Sequence, residues 1–311
     1  MIICLGALIH HFFCLVMSSY SIKDLEGFTG IKAHTLRIWE KRYHVLKPQR
    51  TSTNIRTYDD EDLKRILNIS ILNRHGYRIS DIIKLSEKEI CEKVMQLSQR
   101  CADTHSQIEN LLIAMIEMDE EIFHQSFNQS VLKSGFEDTF RYLIFPFFER
   151  VGLLWQSGSI TPAQEHFVSN LIRQKLIVAI DSIISPRKPD ALHFVLFLPE
   201  GEWHEIGLLF THYLIKKWGH YTLYFGANLP IETIQPVLEK FEISFVVTQF
   251  INGICSNDLN RQIQKLAEVS QGKKVLLSGA QIIQKQFDMP NHFYIYEDID
   301  ELREIIDIQR A

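Results

Sequence analysis

Three patterns of hydrophobic and polar positions follow one another along the chain. Up to about residue 86, short helical patterns are separated by glycines and by one polar, basic segment. Residues 103–185 keep a helical spacing of apolar positions, and from residue 188 onwards short apolar runs alternate with helical patterns. These patterns predict a multidomain α+β protein with domains over residues 18–86, 103–185 and 188–311.

The last domain has the pattern of a doubly wound parallel α/β sheet. Strands are predicted at residues 192–198, 221–225, 243–248, 274–277 and 293–296, and helices at 205–218, 231–240, 257–270, 281–286 and 299–307. Five short strands with intervening helices indicate a Rossmann-like fold with five strands. The loops that follow the strands meet at one edge of such a sheet, which is where a ligand is expected.

The middle domain is predicted to be a four-helix bundle. Its helices are expected at residues 105–117, 120–133, 136–155 and 162–184. The third helix carries a face of aromatic residues, most of which we assign to the core.

The first domain is predicted to be a winged helix-turn-helix. Helices are expected at residues 22–26, 33–43 and 61–74. Gly27 and Gly30 bracket the connection between the first two helices, and the polar, basic residues 46–58 fit a two-stranded wing. In the second helix, Leu36 and Trp39 face a core while the other face is rich in cations, as in a DNA-recognition helix.

Composition adds a partner and a compartment to this picture. The chain is 46% hydrophobic and 23% charged, as in ordinary globular proteins, and its net charge is −5. The first domain is nevertheless basic and the remainder acidic, so a polyanionic partner is expected to meet the first domain. The five cysteines form no CxxC pair, which favours a reducing, cytoplasmic setting without a disulfide framework. No stretch predicts a membrane helix.

Residues 1–17 are expected to be a non-native or disordered extension. Residues 1–16 are apolar but lack the positive start and small-residue cleavage pattern of a secretory signal. Met17 precedes an ordinary polar helix entry and is our hypothesis for the natural start.

One loop of the last domain carries the most suggestive chemistry. Glu202, His204 and Gly207 follow the first predicted strand directly. Histidine is the commonest metal-binding side chain, and a carboxylate on its second nitrogen raises its basicity. The loop alone fits either a metal ligand or an ordinary solvated histidine. No phosphate-binding glycine motif is present.

A second candidate group lies in the middle domain. Trp155 ends the third predicted helix, and Glu165 and His166 stand in the first turns of the fourth. An indole near an imidazole and a carboxylate suits a large planar ligand. A core tryptophan with a surface Glu-His pair is the alternative.

The first domain closely resembles the winged-helix domain of MerR-family transcription regulators over about seventy residues. The resemblance rests on TLRIWEKRY, LKPQRT, NIRTYDDEDLKRILNI and NRHGYRISDI, in that order. It implies that the second helix enters the major groove of a double-stranded operator and that the protein is a homodimer or homotetramer. The DNA-facing residues it implies are Arg37, Lys41, Arg42, Arg56 and Tyr58.

The two candidate groups together resemble cobalamin-dependent MerR-type regulators of the CarH/LitR type. The resemblance rests on the Glu202-x-His204-x-x-Gly207 loop, the later Thr248 and Gly279 elements, and the spacing from Trp155 to Glu165-His166. It implies a cobalamin, most simply adenosylcobalamin, with His204 on cobalt and Glu202 supporting its other nitrogen. It further implies that Trp155, Glu165 and His166 lie at the upper face, that Gly207 permits close approach of the corrin, and that Thr248, Ser278 and Gly279 line the nucleotide tail.

This sequence departs from that pattern at three places. Thr248 stands where the family has a serine, and Ala280 follows Gly279 where the family has a second glycine. Gln156 follows Trp155, where light-sensing members have the histidine that captures cobalt after photolysis. The histidine loop is therefore the better preserved part of the resemblance.

Together these observations predict a DNA-binding regulator that senses a cobalamin, with ligand or light changing its assembly and operator affinity. Two alternatives remain open: the same regulator with a ligand-free, degenerate sensor, and a cobalamin carrier of the methyltransferase or mutase kind. No nucleophile–base constellation is evident, so we expect no enzymatic activity.

Overall fold

The computed structural model describes residues 20–51, 54–100, 104–157, 160–184, 190–251, 256–283 and 289–308. It describes the backbone alone at residues 91, 95–100, 104, 153–157 and 256–257. The expected extension over residues 1–17, including Met17, lies outside these ranges. The chain divides into two compact units, Met1–Asn170 and Leu171–Ala311, which are treated separately below.

The first unit begins with the predicted winged helix-turn-helix. Its elements are α1 (Ile22–Thr29), α2 (Ala33–Tyr43), β1 (Gln49–Arg50), β2 (Arg56–Thr57), α3 (Asp60–Arg74), α4 (Ile79–Ile82) and α5 (Glu87–Arg100). A capping box between Ser21 and Asp24 starts α1, and Gly30 ends it at φ +69°. Strands β1 and β2 pair antiparallel to form the wing. Leu36 and Trp39 bury the inner face of α2.

The helical middle follows, and the boundary between the two units falls within its last helix. It contains α6 (Thr104–Glu117), α7 (Glu120–Ser134), α8 (Phe136–Thr139), α9 (Phe145–Ser157) and α10 (Pro162–Asp181). The predicted single helix over residues 136–155 contains a π-helical segment, Phe140–Ile144, between α8 and α9. Phe140 is fully buried there and packs against Phe136 with ring centroids 5.0 Å apart. Apolar spacing does not distinguish a single π turn from an α-helix, so the sequence did not predict it.

A buried charged group joins the winged-helix domain, called the head from here on, to the helical middle. Glu109 of α6 is fully buried and pairs with Arg74 of α3, while Ser70 of α3 donates a hydrogen bond of 2.8 Å to the same carboxylate. Arg150 of α9 donates to the carbonyl of Phe28 in α1 at 3.1 Å. The N-terminal winged-helix domain and the helices after it are therefore fixed to each other by polar bonds.

The second unit contains the five predicted strands in one parallel sheet. They are β3 (His193–Pro199), β4 (Tyr221–Leu229), β5 (Phe245–Gln249), β6 (Lys274–Ser278) and β7 (Phe293–Ile295), in the order β4-β3-β5-β6-β7. The helices between and after them are α11 (Ile206–Lys217), α12 (Gln235–Lys240, after a 3-10 turn at Ile231–Ile234), α13 (Ser256–Ser270), α14 (Ala280–Ile283) and α15 (Ile299–Ile308). The chain adds β4 on one side of β3 and then β5 on the other side, which places the topological switch point at the carboxyl ends of β3 and β5.

Strand β4 continues four residues beyond its predicted end. The ladder with β3 shifts register after Tyr224, so that Phe197 pairs with Gly226. This irregularity lets the strand continue through the glycine, a residue that the sequence analysis had placed in a loop.

Candidate functional site

The loop after β3 is organised around the carboxylate of Glu202. That side chain is fully buried, and its Oε1 accepts the backbone N–H groups of Trp203 and His204, both at 3.0 Å. Its Oε2 accepts the backbone N–H of Ile251, at the end of β5, at 2.8 Å. One side chain therefore holds together the loops that follow the two strands at the switch point.

His204 completes this arrangement on the solvent side. Its Nδ1 lies 2.6 Å from Glu202 Oε1, and its side chain is 55% exposed. Because Nδ1–H is the donor to the carboxylate, the neutral ring carries its lone pair on Nε2. A carboxylate behind an imidazole in this way fixes the tautomer and raises the basicity of the other nitrogen, which is how metal-ligating histidines are held.

Two neighbours fix the shape of the loop. Asn228 at the end of β4 accepts the N–H of Gly201 through Oδ1 at 2.9 Å, and its own N–H donates to the carbonyl of Glu202 at 3.1 Å. Asn228 adopts φ +58°, a conformation that asparagine tolerates better than most residues. Glu205 accepts bonds from Arg173 (2.5 Å) and the hydroxyl of Tyr224 (2.9 Å), which anchors the other end of the loop.

The ends of β5 and β6 form the neighbouring groove. Thr248 is fully buried, and its Oγ1 has no hydrogen-bond partner within the described residues. Ser278 is 8% exposed, and Gly279 adopts φ +103°. A Cβ on Gly279 would lie 2.4 Å from the carbonyl oxygen of Phe250, so the glycine is required by backbone packing between these two loops.

Gly207 faces a side chain of the neighbouring strand. A Cβ at Gly207 would lie 2.5 Å from Oε1 of Gln249, whose Nε2 donates to the hydroxyl of Tyr296 at 3.0 Å. The glycine thus makes room for a buried polar cluster beneath the histidine loop. The expected contact between Gly207 and a corrin stays a prediction.

The candidate residues of the helical middle belong to the first unit. Glu165 lies in the first turn of α10 and His166 directly follows it, with 3.4 Å between Glu165 Oε2 and His166 Nε2, and the side chain of His166 is 71% exposed. Trp155 and Gln156 lie in the last turn of α9, and their side chains lie outside the described residues.

The head presents three of its five predicted DNA-facing residues on one exposed surface. Arg37, Lys41 and Arg42 are exposed on α2. Arg56 of the wing donates to Glu40 Oε1 at 3.0 Å, which ties the wing to the helix.

Tyr58 is placed differently from the expectation of a DNA-facing side chain. It is only 1% exposed, and its hydroxyl donates to Glu40 Oε2 at 2.8 Å. Burial, together with that carboxylate, raises the pKa of the Tyr58 hydroxyl. The hydroxyl of Tyr58 therefore contacts α2 through Glu40. The inward position is favoured because it removes the apolar surface of the aromatic ring from water.

Comparison with protein families identifies two segments of the chain. Residues 20–89 match the MerR HTH family regulatory proteins, and residues 107–179 match the B12 binding domain. The chain is a MerR-type transcriptional regulator with a B12-binding domain. The second match covers the helical middle and ends before the sheet, so the histidine loop lies outside the matched residues.

Two transcriptional regulators resemble this MerR-type regulator over most of its length. The HTH-type transcriptional repressor CarH of Myxococcus xanthus is 25% identical over 269 residues, which are 84% of this chain and 89% of that protein. The HTH-type transcriptional repressor CarA of the same organism is 26% identical over 234 residues, covering 74% of this chain and 76% of CarA.

A solved structure shows the same fold for the part of the chain that contains the sheet. The monomethylamine corrinoid protein of Methanosarcina barkeri superposes with a TM-score of 0.53 at 13% sequence identity, covering 66% of this chain and all of the corrinoid protein. This part of the MerR-type regulator thus shares the fold of that corrinoid protein. No helix among the described residues is long and apolar enough to cross a membrane.

Sequence analysis missed three groups that shape the site in this MerR-type regulator. They are the side chain of Gln249, the side chain of Asn228 and the backbone N–H of Ile251. Gln249 could have been predicted as a site residue because it is a polar residue at the end of an apolar strand. Asn228 could have been predicted because it follows a glycine by two residues after a strand. Nothing in the sequence indicates which backbone N–H a distant carboxylate will accept.

Proposed function

We propose that this regulator senses a cobalamin, in its adenosyl form, and converts ligand or light into a change of assembly and operator affinity. In this proposal His204 is the lower ligand of the cobalt and Glu202 holds it in place. The protein acts in the cytoplasm as a homodimer or homotetramer on double-stranded DNA.

The observation that carries the proposal is the Glu202–His204 pair at the switch point. A single exposed imidazole, backed by a fully buried carboxylate, suits a metal whose other ligands come from a macrocycle. A solvated loop histidine would not need a carboxylate that also accepts three backbone N–H groups. The donor set therefore fits the cobalt of a corrin.

The groove beside the loop supports the same ligand. Thr248 Oγ1 is a fully buried hydroxyl that has no partner within the described residues, and leaving such a group unbonded is costly. A hydrogen-bonding group on the nucleotide tail would satisfy it, with Ser278 and Gly279 lining the same groove. The extra methyl of threonine relative to serine narrows that groove.

The upper face is assigned from the resemblance. Trp155 would cover the axial group, and Glu165 and His166 would contact it. A bound cobalamin would supply a cobalt ion and a bond to that cobalt that light can break. Gln156 has an amide in place of an imidazole, so we expect no bis-histidine product after illumination.

The DNA side of the proposal rests on the exposed cations of α2 and the wing. Arg37, Lys41, Arg42 and Arg56 would bind phosphates and set the register of α2 in the major groove. Such contacts make binding fall steeply with salt. Two heads in one oligomer double this positive surface on an operator with two half-sites.

The test is to purify the full chain with adenosylcobalamin in the dark. Its visible spectrum, its mass by light scattering and its operator affinity are then recorded before and after illumination. We expect retained corrinoid, a spectrum typical of histidine-ligated cobalt, and a change of mass on illumination. A wild-type protein that retains no corrinoid would overturn the proposal in favour of a ligand-free sensor.

The matched control uses His193, which lies at the start of β3, the strand that precedes the loop of His204. His204→Ala should lose the histidine-ligated spectrum and most of the retained corrinoid. His193→Ala, at the opposite end of β3, where Nδ1 bonds the carbonyl of Glu242 at 2.9 Å, should retain both. Equal retention and equal spectra in the two variants would remove the metal-ligand role from His204.

A further inference from the structure

Ile38 is an unusual residue on the recognition helix. It is a large aliphatic side chain that is 54% exposed, while the inner face of α2 is buried through Leu36 and Trp39. The exposed residues of the helix are His34, Arg37, Ile38, Lys41 and Arg42. Every other member of that set carries nitrogen donors, so Ile38 is the single apolar member of an otherwise cationic face.

The position of Ile38 on that face is central. Each residue of an α-helix turns about 100° from the previous one. Arg37 and Arg42 therefore lie at the two borders of the exposed face, and Ile38 lies between them, about 40° from Arg42 and about 60° from Lys41. Side chains at the borders reach the phosphates on either side of a groove, whereas a central side chain meets the edges of the bases.

The rotation of α2 about its axis is fixed by contacts to the wing and the core. Trp39 is 8% exposed, and Glu40 accepts bonds from Arg56 at 3.0 Å and from Tyr58 at 2.8 Å. A helix held on two sides cannot turn Ile38 away from the groove without breaking these bonds. The direction of Ile38 is thus a property of the folded head.

An isoleucine side chain cannot donate or accept a hydrogen bond, so it can recognise only apolar groups on the edges of bases. The apolar group on base edges in the major groove is the C5 methyl of thymine. A G·C pair at the same place would present polar atoms to the isoleucine and leave them without partners. This conclusion rests on the proposed binding of DNA by the head.

We propose that Ile38 determines operator specificity by packing on the methyl group of one thymine in each half-site. The residue is then a specificity determinant, while the cations around it supply affinity. Its loss should relax the base preference at one position without changing the salt dependence of binding.

The experiment first selects an operator from random duplex DNA with the full-length protein, with and without adenosylcobalamin in the dark. Each thymine of the selected half-site is then replaced by uracil, which removes only the C5 methyl. Dissociation constants are measured by fluorescence anisotropy. For the wild type, one replacement per half-site should weaken binding about fourfold, the effect of losing one buried methyl group.

Two variants make the test specific to Ile38. Ile38→Ala should bind the thymine and uracil operators equally at that position, with an unchanged slope against salt. Ile55→Ala removes the exposed isoleucine of the wing (61% exposed) and should keep the full uracil effect. Circular dichroism of both variants should match the wild type, since both side chains lie on the surface.

Two results would overturn the proposal. A wild-type protein that selects a sequence but tolerates uracil at every thymine would exclude methyl recognition while leaving DNA binding intact. Ile38→Ala with an undiminished uracil effect would assign the methyl contact to another residue. A wild-type protein that selects no sequence would instead refute the proposed regulator, and this inference with it.

Discussion

Glu109 and Glu202 are both fully buried carboxylates, but they are held in opposite ways. Glu109 lies between α3 and α6, where the guanidinium of Arg74 and the hydroxyl of Ser70 bind it. Glu202 has its two oxygens occupied by three backbone N–H groups and by an imidazole whose other side is exposed. One carboxylate joins two parts of the protein, and the other aims a side chain outward.

The difference shows how burial of a carboxylate separates a structural role from a functional one. Burial raises the pKa of Glu109, and the bond from Arg74 is what limits the rise. The carboxylate of Glu109 has no exposed surface, so the pair serves the packing of α3 against α6. The carboxylate of Glu202 bonds Nδ1 of His204, whose ring reaches solvent. This bond orients the ring and leaves Nε2 available as a metal ligand. The partner of a buried carboxylate is therefore more informative about function than the burial itself.

The largest effect should come from breaking the structural pair. Glu109→Ala leaves the guanidinium of Arg74 without its counter-charge, and since that side chain is 31% exposed the loss should lie at the low end for buried pairs, about 3 kcal/mol. Urea unfolding of the wild type and of Glu109→Ala measures this difference in the free energy of unfolding. The double variant Glu109→Leu, Arg74→Leu should recover most of the loss, because no buried charge remains. A double variant as unstable as the sum of the two single variants would contradict this account.

The same kind of change at Glu202 should act on the ligand more than on stability. Glu202→Gln removes the charge behind His204, and loss of such a supporting group weakens metal binding by about 10–100-fold. Titration of adenosylcobalamin in the dark measures the affinity. Glu200→Gln changes an exposed carboxylate of the same loop and should have no effect. If the two variants bind alike, Glu202 has no supporting role.

His212 provides a third case, a partly buried ionisable group that lies near a cation, Lys216. Its Nδ1 has no hydrogen-bond partner within the described residues, and its ring stacks on Tyr224 with centroids 4.9 Å apart. Burial, with a smaller contribution from Lys216, lowers the pKa of His212 from 6.5 to about 4. As the pH falls from 6.5 to 4 the unfolded chain binds a proton first, so the free energy of unfolding should decrease by about 2 kcal/mol over that window.

His212→Phe tests this expectation because it keeps the stacked ring and removes the titration. The variant should lose stability less steeply than the wild type between pH 6.5 and 4, as measured by urea unfolding at several pH values. Equal slopes of the free energy of unfolding against pH would mean that the fold does not lower the pKa of His212.

The comparison also shows what the sequence can and cannot predict. The order of the domains, the five strands and the helix Ala33–Tyr43 followed from apolar spacing, glycines and caps, which are local properties. Glu202 and His204 were predicted because they follow a buried strand directly. Glu109 was not, since its partners Arg74 and Ser70 lie 35 and 39 residues away, and no local pattern encodes such a distance.

The same limit explains Tyr58. Its motif predicted a residue that faces DNA, but its ring is buried and its hydroxyl bonds Glu40, eighteen residues earlier in the chain. The residue types of a motif specify which chemistry is available. Long-range packing decides which of those groups remains on the surface.

The smallest effect should come from the residue that supports the histidine loop without touching its carboxylate. Asn228 bonds Gly201 through its side chain and adopts φ +58°. Asn228→Gly keeps the conformation but loses one hydrogen bond, so cobalamin affinity should fall about two- to fivefold. Asn228→Ala adds the cost of a left-handed alanine, about 1 kcal/mol, and should lower affinity and stability further. Dark titration and urea unfolding of the two variants separate these contributions. If glycine and alanine behave alike, the backbone conformation of Asn228 does not limit the shape of the histidine loop.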